Sequence, residues 1–287
     1  MPAGQGGRYG GSTLCYPDTQ QCNARWMTRI GTYVYRKLME KGFLFDFDHM
    51  ELHMKTQALD LAEAQPIAYP VISTHGTFGG TSIKQTQRML RDGGFIYPSL
   101  GSSGSFRNDM QEVLAQYEIA RDSGMAADDT LFGFGFGTDT NGLSGQAGGE
   151  DIKVPGNDSG YPYTLFSGGL FQQLPEFVAM NAPVQFGISQ SHDAAGVLAR
   201  QWNIKDEGSA HYGLLSEFVE GVNLHGTPQE LRALFNSAER YLRTWERTLD
   251  AAAAIEANGG AAVLPPNFLN ATTGAAPVPG GTYPPGD

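Results

Sequence analysis

Phe43-Leu-Phe-Asp-Phe-Asp-His49 is a short, aromatic run that ends on two aspartates and a histidine before the chain turns. An uninterrupted apolar run of this length reads as a parallel strand buried on both faces. Similar strands are expected at Tyr69-Pro-Val-Ile-Ser-Thr-His75, Gly94-Phe-Ile-Tyr97 and Leu131-Phe-Gly-Phe-Gly-Phe-Gly-Thr-Asp139. Helical pattern separates them at about 52–64, near 83–92, and from Asp109, where Glu112 stands in capping-box position. Strand and helix in alternation predict right-handed βαβ units in an α/β fold with a parallel sheet.

Upstream, Trp26, Ile30, Val34 and Leu38 mark one stripe of a helix ending near Gly42. Downstream, residues 141–210 lack periodicity and read as a long excursion over one end of the sheet. Two helices follow, at about 212–224 and 228–250. The second opens with the capping box Thr227-Pro-Gln-Glu230 and places Leu231, Leu234, Phe235, Ala238, Leu242 and Trp245 on one face. The stretch 259–287 holds 12 Gly or Pro residues and a single charge, Asp287, so it cannot build a core and reads as a linker or a strap. The expected organisation is a partial (β/α) domain over 1–258 and a Gly/Pro-rich tail over 259–287.

Composition removes several function classes. With 19 Lys+Arg against 30 Asp+Glu, the net charge of −11 leaves no basic footprint for nucleic acid and disfavours anionic membrane surfaces. Apolar runs fall short of the roughly 18 residues of a membrane span. The 38 glycines and 16 prolines in 287 residues predict long loops on a rigid scaffold.

Cys15 and Cys22 are spaced too widely for a Cys-x-x-Cys redox or zinc knuckle. They read as a small disulfide loop, which would place the protein in an oxidising compartment, secreted or periplasmic; two unrelated thiols are the alternative. The opening Met-Pro-Ala-Gly-Gln-Gly-Gly encodes no signal peptide, so the chain is either cytoplasmic or begins inside something longer.

The candidate chemistry lies where the strands end. Asp46, Asp48 and His49 close the first, His75 the second and Asp139 the fourth. Ligands bind at the carboxyl ends of parallel strands, and two imidazoles with a carboxylate are donors that Zn²⁺ prefers. The run Gly133-x-Gly-x-Gly137 lies inside a strand and alternates with phenylalanine. That pattern fits small-and-large barrel packing rather than a dinucleotide loop. His53, His192, His211 and His225 read as structural, His211 as a capping or supporting residue.

These residues resemble a known family. Phe-Asp-Phe-Asp-His49-Met, Tyr-Pro-Val-Ile-Ser-Thr-His75-Gly and Phe-Gly-Phe-Gly-Thr-Asp139-Thr-Asn-Gly look like the second half of the membrane (renal) dipeptidase family, metal-dependent TIM barrels of the amidohydrolase superfamily. Bacterial dipeptidase-like relatives share further stretches: Cys-Asn-Ala-Arg at 22–25, Tyr161-Pro-Tyr, Ala210-His-Tyr-Gly and Tyr241-Leu-Arg-Thr-Trp-Glu-Arg247. The resemblance covers roughly residues 15–250. It implies a TIM-barrel type fold contributing strands five to eight, with a long loop after the last strand and C-terminal helices. It also implies that His49 and His75 hold one metal of a binuclear zinc site. Asp139 would be both a metal ligand and the catalytic base toward the metal-activated water. Residues 1–42 contain no histidine, so the ligands that the family draws from its first half are not in this stretch. Lys84 and Arg88 lie near, but not on, the position of the family's carboxylate-binding arginine. A mononuclear zinc site of His49, His75, Asp139 and water is an intermediate arrangement.

Two functions follow from this reading. One is a zinc-dependent hydrolase of a small amide or peptide substrate. The other is a non-catalytic half-barrel acting as a structural or binding subunit. Either would expose open strand edges and call for a second copy or a complementary N-terminal half.

Overall fold

The computed structural model describes residues 27–50, 52–74, 81–98, 100–125, 130–138, 161–179, 183–266 and 268. Cys15, Cys22, His75 and Asp139 lie outside them, as do the cysteine pairing and the zinc triad that depend on those residues. In chain order the elements begin with α1 (Arg29–Met39), β1 (Phe45–Asp46), α2 (Leu52–Glu63), β2 (Val71–Ser73), α3 (Ile83–Arg91), β3 (Phe95–Ile96) and α4 (Ser103–Asp122). Next come β4 (Tyr163–Leu165), α5 (Leu170–Gln173), α6 (Pro175–Val178), β5 (Val184–Phe186), β6 (Ser189–His192) and β7 (Leu198–Trp202). The last are α7 (Ile204–Glu207), a 3-10 turn (Tyr212–Leu214), α8 (Leu215–His225), α9 (Pro228–Phe235) and α10 (Ser237–Ala257). The chain divides into two compact units, one of residues 1–98, 113–134 and 236–287, the other of 99–112 and 135–235.

In the first unit, β1, β2 and β3 form a parallel sheet in that order, with Phe45 opposite Val71, Asp46 opposite Ile72, and Ile72 opposite Phe95. The apolar runs supply the strands because both sheet faces are covered: Phe45, Phe47, Val71, Ile72 and Phe95 are all buried. Tyr35 of α1 stacks on Phe45 at 4.2 Å, and Phe95 on Tyr97 at 4.1 Å. Gly94 has to be glycine, since a Cβ there would fall 1.9 Å from the Val71 carbonyl oxygen.

Helix α10 ties itself to the start of β3. Arg240 Nη2 donates to Gly94 O at 2.7 Å, and Thr244 Oγ1 to Gly93 O at 2.8 Å. The tail straps this unit as far as it is described. Ala262 O accepts from Arg36 Nε at 2.7 Å, Val263 N donates to Gln65 Oε1 at 2.8 Å, and Phe268 is buried.

Four local readings are corrected. On α1 the buried face is Thr32, Tyr35 and Met39, whereas Ile30 and Val34 point outward. The stacking of Tyr35 on Phe45 turns that face inward. Helix α4 begins at Ser103 rather than Asp109, because the Ser102 hydroxyl accepts from Ser105 N and caps it earlier.

Residues 131–138 make no strand ladder beyond an isolated bridge at Gly137, whose carbonyl accepts from Leu100 N. The Phe132 carbonyl is taken by Asn236 Nδ2, and a Cβ at Gly133 would lie 2.6 Å from Asn236 O. Phe132 and Gly133 therefore press on the start of α10 instead of pairing as a strand. Finally, the helix expected over 228–250 breaks at Asn236 into α9 and α10. Its Thr227–Glu230 capping box is present in both directions, at 2.7 and 3.2 Å. The break interrupts the stripe: Leu231 and Leu234 are buried, while Leu242 and Trp245 are exposed.

In the second unit the expected excursion contains two antiparallel ribbons, β4 with β5 and β6 with β7. The β6–β7 turn is set by Asp193, whose Oδ1 accepts from Ala195 N and Val197 N, with Gly196 at φ 78°. Strands β5, β6 and β7 have no buried residue, so no alternation marked them in the sequence. The core is aromatic, with Phe106, Phe136 and Phe218 meeting edge to face at 5.1–6.0 Å.

Candidate active site

Parallel strands present their carboxyl ends on one edge of a sheet, and the polar residues of β1 and β2 meet there. Alternation buries Phe45 and Phe47 and turns Asp46 and Asp48 the other way. Asp48 Oδ1 accepts from Ser73 Oγ at 2.6 Å and its Oδ2 from Thr74 N at 2.9 Å. Asp46 Oδ1 accepts from Asp48 N at 2.9 Å, and its Oδ2 from the Thr74 hydroxyl. Three of the four carboxylate oxygens thus join the end of one strand to the end of the next, and the fourth, Asp46 Oδ1, closes a local turn on Asp48 N.

Lys55 of α2 is buried beneath them, its Nζ 5.0 Å from the centre of the Phe47 ring and 3.0 Å from Thr81 Oγ1. Burial pushes the ammonium pKa down, and the Asp48 and Asp46 charges resist that change.

His49 follows these aspartates with φ 62°, which breaks the alternation and leaves it exposed at the edge. His75 and Asp139 lie beyond Thr74 and Thr138, outside the described residues. The imidazole of His49 has the donor chemistry that zinc takes, whereas Asp46 and Asp48 are spent on strand ends. Among the described residues no three of His, Cys, Asp and Glu converge as a metal group. Arg88 is committed to α2: its Nε donates to Glu63 Oε1 at 2.7 Å and its Nη2 to Asp60 Oδ1 at 2.6 Å. Lys84 is exposed on α3.

A second polar cluster, in the other unit, was missed by sequence reasoning. Tyr161 and Tyr163 both donate their hydroxyls to Glu217 Oε1 at 2.5 Å, and the buried Oε2 of Glu217 has no partner among the described residues. One turn on, Glu220 Oε2 accepts from Phe166 N at 3.1 Å and Asn223 Nδ2 at 2.9 Å. Burial raises the pKa of both acids, with the tyrosines opposing it at Glu217, and Asn223 and the Phe166 amide at Glu220. In the sequence Tyr161-Pro-Tyr stands out only for its resemblance, and nothing local links it to the Glu-x-x-Glu of α8.

Ser189 Oγ lies 2.9 Å from His211 Nε2, an arrangement that looks like a nucleophile and its base. However, His211 Nδ1 accepts from Gly213 N at 3.0 Å, so in the neutral ring Nε2 carries the proton. It therefore donates to Ser189 and cannot take its proton. His211 acts as a cap, the role suggested by its position before a helix.

No family model, curated protein or solved structure matches the chain. Among the described residues no helix is long and apolar enough to cross a membrane.

Proposed function

We propose that this chain is part of a metal-dependent hydrolase of amide or peptide bonds, a dipeptidase-like amidohydrolase built on strands five to eight of a TIM-type barrel. The observation that carries the reading is the register of adjacent parallel strands. Asp46 pairs with Ile72, and three residues beyond each partner the sequence places His49 and His75. Two histidines at equivalent sequence distances past the ends of neighbouring strands suit one shared ion, since strands lie about 4.8 Å apart.

His49, His75 and Asp139 are the residues that would hold zinc. A bound metal would supply a water whose pKa is lowered toward about 7. Asp139 is assigned to accept a proton and pass it to the leaving amine, and the Asp46–Asp48–Thr74 network holds the two strand ends together. The substrate is a small amide or peptide, and the rest of the barrel comes from a second copy or a complementary half. A Cys15–Cys22 disulfide would place the protein outside the cytoplasm.

Zinc calorimetry on the chain and on His49→Ala and His75→Ala tests the ligands, together with hydrolysis of a dipeptide panel by the zinc-loaded protein. Zinc binding that is lost in both variants, with activity lost alongside, supports the reading. Tight binding that survives both substitutions overturns it. No zinc binding and no hydrolysis, with or without a complementary half, would point to the non-catalytic half-barrel.

A further inference from the structure

Apart from Ile67 and Ile119, the large exposed apolar side chains described in the first unit lie on two neighbouring helices or, for Phe43, just beyond α1. On α1 they are Ile30, Tyr33 and Val34, at 76%, 60% and 47% exposure. On α10 they are Tyr241, Leu242, Trp245 and Leu249, at 41–50%. The helices pack against each other, and Gly42 just beyond α1 approaches Leu249 and Ala252. Phe43, 53% exposed, lies just beyond α1 and lines a groove with Tyr241 and Trp245 of α10. The groove measures about 280 Å³ and is also lined by Lys41, Gly42 and Leu44. It is smaller than the roughly 300–1,000 Å³ of small-molecule pockets and suits a single side-chain anchor.

The charges around the two faces have opposite sign. Residues 29–41 carry Arg29, Arg36, Lys37 and Lys41 against Glu40 alone, in a chain whose net charge is −11. Helix α10 carries Arg240, Arg243 and Arg247 against Glu239, Glu246, Asp250 and Glu256. Arg240 is buried, Arg243 pairs with Glu239 and Arg247 is half-buried, so the acids Glu246 and Asp250 are the charges left exposed beside Trp245 and Leu249. None of Arg29, Lys41, Glu246 and Asp250 enters an ion pair among the described residues. The α1 face is apolar and basic, and the α10 face is apolar and acidic. Each is the complement of the other.

We infer that this surface binds a second copy of the same chain about a two-fold axis, with α1 of each copy lying along α10 of the other. In such an interface a surface meets itself, so complementary halves on one patch satisfy both copies at once. Tyr33 or Ile30 of one copy fills the groove beside Trp245 of the other, while Arg29 and Lys41 meet Glu246 and Asp250. An anionic lipid surface fits less well, because Glu246 and Asp250 would be pressed against like charge. The inference stands on the first unit alone and is independent of the hydrolase reading.

Sedimentation velocity on the full chain across a concentration series tests it, with circular dichroism to verify folding of each variant. The wild type is expected to dimerise. Trp245→Ala and Tyr33→Ala should each raise the dimer Kd roughly thirtyfold or more, as truncation of an aromatic anchor does. Lys41→Glu and Asp250→Lys, both surface changes, should each weaken the dimer, and the double variant should regain affinity. A wild type that stays monomeric overturns the inference, including one that instead floats with phosphatidylserine vesicles. A dimer whose Kd none of these variants changes overturns it equally.

Discussion

The hydroxyl of Tyr163 donates to Oε1 of Glu217 at 2.5 Å across 54 residues of sequence, and the hydroxyl of Tyr161 reaches the same oxygen. A fully buried carboxyl is thereby gripped on one oxygen, while its other oxygen has no partner among the described residues. Burial raises the folded-state pKa of this acid, so folding favours its proton.

The sign of the pH effect follows from that rise. Because the folded pKa lies above the unfolded one, the stability linked to the bound proton is present at low pH. It is lost as pH rises from about 4.3 through the folded value, at roughly 1.4 kcal/mol for each tenfold difference in proton affinity between the folded and unfolded chain. Glu217→Gln stays neutral and should escape this loss. Urea unfolding at pH 4 and pH 7.5 should show the variant gaining on the wild type at the higher pH. Parallel behaviour at both would mean that Glu217 titrates normally.

Arg88 bridges α3 to Glu63 and Asp60 of α2. Burial works to raise the Glu63 pKa, yet the two arginines beside it, Arg88 and Arg91, hold its carboxyl below the usual range. Arg88→Ala should cost about 1–3 kcal/mol, less than the roughly 3–5 kcal/mol of a fully buried pair because Asp60 and Glu63 are partly exposed. Equilibrium unfolding measures it, and high salt should shrink the difference between variant and wild type.

Gly94 and Gly187 make a matched pair of alanine substitutions. At Gly94 a Cβ meets the Val71 carbonyl oxygen at 1.9 Å, whereas at Gly187 nothing lies within 4 Å. Gly94→Ala has to part β2 from β3 and should cost about 3 kcal/mol or more. Gly187→Ala should stay within about 0.5 kcal/mol of wild type. Equal losses on denaturation would contradict the close approach.

His49 sits at φ 62°, where a side chain costs roughly 1 kcal/mol and glycine costs nothing extra. His49→Gly should therefore relieve this backbone cost, offsetting part of the loss of the side chain's contacts, while abolishing the zinc binding proposed for this residue. A large fall in Tm would show that the imidazole holds the fold rather than a ligand.

Elements with a local signature were readable from sequence. Phe45–Asp46 and Val71–Ser73 lie inside the apolar runs that predicted them, and the Thr227–Glu230 capping box forms at the start of α9. His211 reads as a capping or supporting residue at the start of a helix, and it caps Gly213. Of the candidate zinc ligands, His49 stands at the end of β1, while His75 and Asp139 lie outside the described residues. The Tyr161–Tyr163–Glu217 cluster could not be read, because its partners are joined only by folding.

Sequence alone determined where apolar runs and caps would start and stop strands and helices, since those signals act over a few neighbouring residues. It did not determine which face of a helix turns inward. Ile30 and Val34 read as a buried stripe yet face outward because Tyr35 stacks on Phe45. Leu242 and Trp245 face outward because Asn236 breaks the helix and engages the Phe132 carbonyl. Those outcomes rest on contacts between residues far apart in the chain, and only the tertiary structure brings such residues together.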